Sequence, residues 1–211
     1  MIVAIDGPSA SGKGTLSKRL AAHLGFAHLD TGKLYRAVGM MVVHGGGDPA
    51  DESVALQAAK SLEPAILADP ELGGDIAAVA ASKVAAITSV RDLLLQFQRH
   101  FAAVPPGGLK GAVLDGRDIG TVVCPEAEVK LYVTANTDIR AERRHKELLE
   151  RGKSIIYAVV LQDMKERDER DTNRSVAPLK PAEDAFILDT SDLNADQAFS
   201  AALEEIERTG R

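Results

Sequence analysis

"MIVAIDGPSASGKGTLSKRL" (residues 1–20) sets three patterns end to end: an apolar run, a loop bracketed by Gly7 and Gly12, and a helical stretch with Leu16, Leu20 and Leu24 at four-residue steps. Strand, loop and helix in that order are the context a phosphate-binding loop requires. Across Gly7, Pro8, Ser9, Ala10, Ser11, Gly12, Lys13, Gly14 and Thr15, successive backbone N–H groups converge on one anion at the positive end of the helix that begins near Lys13. Lys13 adds a full charge beside the β- and γ-phosphates. One position is irregular. Many nucleotide hydrolases place a Ser or Thr directly after the lysine to hold Mg²⁺; here Gly14 stands there and Thr15 comes one place late. The Asn-Lys-x-Asp pattern that reads guanine is also missing.

Outward from this stretch, short apolar runs alternate with helical patterns. "IVAI" (2–5), "FAHL" (26–29), "AVLD" (112–115), "VKLYVT" (129–134) and "AFILD" (185–189) predict five strands covered on both faces, as in a parallel sheet wrapped by helices. Helices are expected over Lys13–Leu24, Thr137–Arg151 and Asn194–Arg208, the last two behind Asn/Thr or Asn cap signals. The βαβα rhythm implies a doubly wound, three-layer α/β domain over residues 1–211. It breaks between residues 35 and 103, where Ala-rich helical pattern is interrupted only by "HGGGDP" and "DPELGGD". That length suits a helical insertion better than an ordinary connection. A second break, "ERGKS" (150–154), lies between two Arg-rich helices and reads as a short loop.

The charge balance narrows the function. A net charge of -6 and only 4% aromatic residues disfavour a nucleic-acid binder. No apolar run nears the ~20 residues of a membrane-spanning helix, and no secretory signal pattern opens the chain. The single cysteine, Cys124, suits a reducing compartment, so a cytoplasmic protein is expected. Against the acidic total, residues 136–174 hold ten Lys/Arg, seven of them Arg, beside nine Asp/Glu. Gathered arginines in an acidic chain suit the handling of a small anion.

Two further motifs carry chemistry. In "AVLDGRDIGTVV" (112–123) a strand ends on Asp115 and runs into Gly116, Arg117 and Asp118, at the carboxyl edge where open α/β sheets bind ligands. The other reading of these residues is an Asp-Gly turn with a helix cap. "KERDERDTNRSVAPL" (165–179) sets Arg167, Arg170 and Arg174 on one helical face, and the preceding helix does the same with Arg140, Arg143 and Arg144. Alone, such runs are solvated faces with i,i+4 bridges such as Glu166 to Arg170 and Arg167 to Asp171. Beside a phosphate loop they suit phosphoryl transfer, which needs charge neutralisation more than covalent chemistry. Thr31 is expected to cap the helix that follows "HLD", with Arg36 five residues on.

"IDGPSASGKGT", "LDTGKLYRA", "ASKVA", "VRDLLLQFQRHF", "LDGRDIGTVV" and "KERDERDTNRSVAPL" occur in the order found in bacterial cytidylate kinases, and the sequence resembles that family from end to end. The Lys-Gly-Thr order is similar to that of nucleoside monophosphate kinases, in which water and nucleotide phosphates hold most of the Mg²⁺. The resemblance implies a three-layer P-loop kinase fold with a five-stranded parallel sheet, a helical NMP-binding insertion (35–103) and a short lid region (145–160). It implies ATP as donor, CMP or dCMP as acceptor, Mg²⁺ as cofactor, and a monomer. Gly7 to Thr15 would hold ATP's phosphates. Thr31 would belong to the acceptor site, and Arg36, Arg117 and Arg174 would grip the acceptor's phosphate. Ser82, Arg91 and Asp118 would read cytosine, Arg167 and Asp171 would contact the ribose, and Arg143, Arg144 and Arg170 would approach the transferring group. Asp115 and Thr15 are the candidates to order Mg²⁺, through water. Other readings of the same loop are a UMP, AMP or shikimate-type kinase and a nucleotide-binding module without transfer. Three departures stand out: Ala10 where relatives often carry Gly, which requires a negative φ there; Cys124 in place of an aromatic, expected as a small buried residue; and "LGGD" (72–75), which lacks an arginine common in relatives.

Overall fold

The computed structural model describes residues 1–209. Strand β1 (Ile2–Asp6) lies at the centre of a five-stranded parallel sheet of order β2-β3-β1-β4-β5, with β2 at Ala27–Asp30, β3 at Ala112–Gly116, β4 at Val129–Thr134 and β5 at Phe186–Asp189. The register sets Ile5 beside Asp115 and Asp6 beside Gly116, and Asp30 beside Asp115 on the other edge of β3. The loop ends of β1, β2 and β3 thus open at one level.

Burial explains why these runs become strands. Val3, Ala4 and Ile5 have no exposed surface, nor do Val113 and Leu114. Val3, Ile5, Val113, Leu131 and Val133 pack with Leu16 and Leu20 of α1 (Lys13–Leu24) and with Ala202 and Ile206 of the C-terminal helix (Ala195–Thr209). On the opposite face, Ala4, Leu29 and Leu114 pack with Ile119, Val123, Cys124 and Ala102. Cys124 is the small buried residue expected. β5 departs from expectation: Phe186 and Ile187 are exposed, because the strand pairs only with β4 and forms an open edge.

Between β2 and β3 the chain is helical: α2 (Thr31–His44), α3 (Glu52–Lys60), two short 3₁₀ turns, α4 (Asp75–Val84) and α5 (Thr88–Ala103). The helical block starts at Thr31 rather than residue 35, since β2 passes into α2 without a loop. These helices have a core of their own, built on Leu34, Val38, Val42, Ala55, Val84, Val90 and Leu94. α2 and α4 approach at Gly39, where a Cβ would stand 2.7 Å from the Ala80 Cβ. Beyond β4, α6 (Thr137–Glu150) and α7 (Tyr157–Asn173) form a hairpin around Ala141, Leu148, Val160 and Met164, and α8 (Ala195–Thr209) closes the described chain. Asn136 caps α6 by accepting from the Asp138 amide (3.1 Å), and Asn194 caps α8.

Because the α2–α4 contact has no room for a side chain, Gly39→Val should destabilise the protein by about 1–3 kcal/mol, the usual cost of overpacking. A lowered midpoint in urea denaturation with unchanged slope is the expected result.

Candidate active site

The phosphate loop is shaped by crowding. Gly7 sits where a Cβ would lie 2.0 Å from the Val133 carbonyl oxygen, and its φ of 150° is one that glycine tolerates. Ala10 does not have the negative φ required of it above: it is left-handed at 57°. An L-residue pays about 1–2 kcal/mol for that conformation, offset in part by packing of its methyl against the α6–α7 core. Lys13 is buried and its Nζ folds back to donate to the Pro8 carbonyl at 3.0 Å. Burial and the neighbouring Arg117 push the Lys13 ammonium down to about 7.

The end of β3 supplies the facing wall. The Asp115 carboxylate accepts from Ser17 Oγ (2.7 Å) and pairs with His28 Nε2 (2.8 Å). Burial alone would raise its pKa, but His28 and Lys13 outweigh burial and hold it below the usual range. Thr31 is not a helix cap. It is the first residue of α2, following Asp30 at the cap position, and its Oγ1 donates to the Asp115 carbonyl (2.8 Å), tying β2 to β3.

Asp118 is buried between two arginines, paired with Arg91 and 3.6 Å from Arg174 Nη2. The Arg91 guanidinium also lies over the Tyr35 ring, 5.7 Å from its centre. Arg117 Nε donates to Asp171 at 2.9 Å. Burial opposes both charges, yet the pair prevails: the Arg117 pKa rises and that of Asp171 falls. Arg167, half-buried, is pushed down to about 9 by its loss of solvent and by the Arg117 charge. Arg174 lies just past the end of α7, not on the helical face with Arg167 and Arg170.

One cleft joins these groups. Ser9, Ala10, Lys13 and Gly14 of the loop share it with Thr31, Arg36, Ser82, Arg91, Asp115, Arg117, Asp118, Arg167, Asp171 and Arg174. A second cleft, on the other side of the loop, brings Ser11, Gly12 and Thr15 together with Arg143, which donates to Thr190 Oγ1 (3.0 Å) and to the Thr190 carbonyl (2.6 Å). Arg143 is therefore apart from the first cleft, and so is Thr15 from Asp115. Gly7 and Pro8 shape the loop from behind. Arg144 and Arg170 lie at the margin: Arg144 pairs with Asp75 and Glu147, and Arg170 Nη1 donates to Ser82 Oγ at 3.1 Å. The expected i,i+4 bridges give way to these longer contacts. Glu166 accepts from Gln162 instead, and Asp171 from Arg117. At "LGGD", the Gly73 carbonyl accepts from Arg151 of the 151–156 loop (2.7 Å), so arginines of the hairpin reach the segment that lacks its own.

The sequence reading missed Asp6. Its buried carboxylate accepts from the Ile119 amide (2.7 Å) and the Gly120 amide (2.8 Å), fixing the turn that carries Arg117 and Asp118 to the strand that carries the loop. Burial raises its pKa to about 7 against those two donors. An acid immediately before a phosphate loop was the available signal. His28 and Ser17 were missed as well, since neither belongs to a motif and only the fold brings them to Asp115.

A glycine-bracketed loop opening a helix, facing a cleft walled by arginines at the carboxyl edge of a parallel sheet, defines a P-loop kinase. The chain belongs to the cytidylate kinase family, whose model matches residues 3–208. It is 68% identical over 202 residues to a cytidylate kinase of Paramagnetospirillum magneticum (96% of this chain, 95% of the relative) and 60% identical over 204 residues to one of Rhodospirillum rubrum (97% and 96%). Among solved structures, a sugar kinase from a Janibacter species shares the fold at 15% identity and a TM-score of 0.52, over 98% of this chain and 94% of that one. No helix among the described residues is long and apolar enough to cross a membrane.

An anion on the loop favours the charged form of Lys13. Binding of a non-hydrolysable ATP analogue at pH 8 should therefore take up close to one proton, and its affinity should fall as pH rises above about 7. Calorimetry in buffers of different ionisation heat measures the uptake, and Lys13→Met should abolish it.

Proposed function

We propose that this chain transfers the γ-phosphoryl group of ATP to CMP or dCMP, giving ADP and CDP or dCDP. The observation that carries the reading is the single cleft in which the phosphate loop meets Arg36, Arg117 and Arg174 on one side and Ser82, Arg91 and Asp118 on the other. ATP's phosphates rest on the loop amides of Gly7 to Thr15 and on Lys13. Its base lies toward the second cleft, where the flat Arg143 guanidinium forms part of the wall; this gives Arg143 a role on the donor side rather than at the transferring group. Arg36, Arg117 and Arg174 take the acceptor's phosphate, to which the planar fork of arginine can offer two donors at once.

The acceptor oxygen is already ionised, so transfer needs no general base. It needs alignment and neutralisation of charge shared between two phosphates. Arg144 and Arg170 supply part of that charge once they leave Asp75 and Ser82. Helices α2–α5, over residues 31–103, act as the acceptor-binding insertion, and residues 145–160 as the lid. Their approach excludes water that would hydrolyse ATP.

Mg²⁺ fits the oxygen donors present. Asp30 and Asp115 stand side by side at the strand ends, both lining the cleft with Lys13, and this ion is commonly held by one or two carboxylates with water and phosphates. Asp115 and Asp30 would hold it through water, without Thr15, which faces the second cleft, and it would neutralise the β- and γ-phosphate charge. Cytosine presents an amino donor where uracil presents a carbonyl. Asp118 accepts from the former and repels the latter, while Ser82 and Arg91 complete the edge and Arg167 and Asp171 meet the ribose. The enzyme works as a cytoplasmic monomer.

Coupled ADP-release assays across CMP, dCMP, UMP, AMP and GMP test this directly. CMP and dCMP should exceed the others by at least roughly tenfold, the expected cost of an unmatched buried polar edge. Turnover of UMP or AMP equal to that of CMP would overturn the assignment. Arg36→Ala, Arg117→Ala and Arg174→Ala should each lower kcat/KM by about 10²–10³-fold while changing ATP affinity little; a nucleotide-binding module would be indifferent to all three.

A further inference from the structure

Arg140 belongs to none of the groups assigned above, yet it is among the most buried charged side chains of the molecule. It stands in the first turn of α6 and spends its donors on three pieces of the chain: the start of its own helix, the phosphate loop and α7. Nε donates to the Ala135 carbonyl at the end of β4 (2.8 Å), and Nη2 to Thr137 Oγ1 (2.9 Å). Nη1 donates to the Ser9 carbonyl inside the phosphate loop (3.3 Å). Nη2 also pairs with Asp168 Oδ2 on α7 at 2.7 Å.

The last two contacts join regions with different tasks. Ser9 precedes left-handed Ala10, and the orientation of the Ser9–Ala10 peptide fixes where the next amides of the loop point. Asp168 lies on α7 between Arg167 and Asp171, beside the groups that face the acceptor. Its Oδ1 is buried without a hydrogen-bond partner, so Arg140 is the contact that holds this carboxylate. The Ala10 methyl leans on the same α6–α7 core, which makes the loop and the hairpin one packed unit. Separating the pair is costly, because it leaves the buried Arg140 charge without its partner.

We propose that Arg140 is a positioning residue which, through Asp168, couples the donor site to the acceptor site. When α7 engages an acceptor through Arg167, Asp171 and Arg174, Asp168 sets the Arg140 guanidinium, and that guanidinium sets the Ser9 carbonyl and the loop amides after it. By reciprocity, a triphosphate on the loop favours the α7 position that takes the acceptor. The inference rests on the acceptor assignment above and deepens it by naming the element through which the two substrates communicate.

Calorimetric titration of a non-hydrolysable ATP analogue into the native protein, Asp168→Asn and Arg140→Lys, each with and without saturating CMP, tests the coupling. In the native protein CMP should tighten the analogue about tenfold, within the usual range of coupling between sites. Asp168→Asn should bind the analogue alone within about twofold of native, with the CMP enhancement reduced below about threefold; a purely structural role would not separate these two quantities. Arg140→Lys, which loses the fork that spans Ser9 and Ala135, should weaken the analogue alone by about tenfold. Full enhancement in Asp168→Asn, no enhancement in the native protein, or unchanged analogue affinity in Arg140→Lys would each overturn the proposal. Native protein that binds the analogue but not CMP would instead overturn the acceptor assignment, while the Arg140→Lys arm still judges the strut.

Discussion

A buried cleft cannot hold many like charges unless opposite charges stand among them, and that requirement organises this molecule. Lys13, Arg91, Arg117, Arg167 and Arg174 all border one cleft. Each nearby carboxylate is placed by the fold to compensate them: Asp118 between Arg91 and Arg174, Asp171 against Arg117, and Asp115 within reach of Lys13's field and in contact with His28. The balance is local and incomplete. Lys13 and Arg167 keep depressed pKa values because burial disfavours their charge and the Arg117 guanidinium adds repulsion. A polyanion entering the cleft completes what the carboxylates begin, so the stored repulsion becomes selectivity for phosphate over neutral ligands.

The same accounting explains which parts of the site were legible in the sequence. "GPSASGKGT" and "LDGRDIGTVV" announced themselves because contiguous residues perform one task, and five apolar runs marked the strands within a residue or two. Features that depend on neighbours distant in sequence were misread or unseen. Thr31 looked like a cap, but the fold sets a carbonyl of β3 within its reach. Asp6 had no role in any motif, though its carboxylate holds amides 113 and 114 positions away. The covered strand expected at β5 lies open on the solvent side, since apolar content does not say which strand is last in the sheet.

The backbone of the loop taught a different lesson. Ala10 seemed to demand a right-handed or extended conformation, and local preference is indeed against what is observed. Packing overrides it: the helical hairpin presses on the methyl while Gly7 and Gly12 on either side accept the remaining turns. Likewise the arginine absent from "LGGD" is not simply lost, because Arg144 and Arg151 cross from the hairpin to Asp75 and the Gly73 carbonyl. Composition records which residues are present, and only geometry shows which segment they serve.

The central place of β1 has a consequence for how the chain is made. This strand is translated ahead of both its sheet partners, which begin at Ala112 and Val129. Until those partners are made its apolar side chains have no sheet to join, while the helices of residues 31–103 have a core of their own. Contacts so far apart in sequence form slowly, and exposed unpaired strands invite aggregation in the meantime. The loop that follows β1 is therefore translated well before the strands that fix its shape, and takes that shape only after the helices of residues 31–103 have been made.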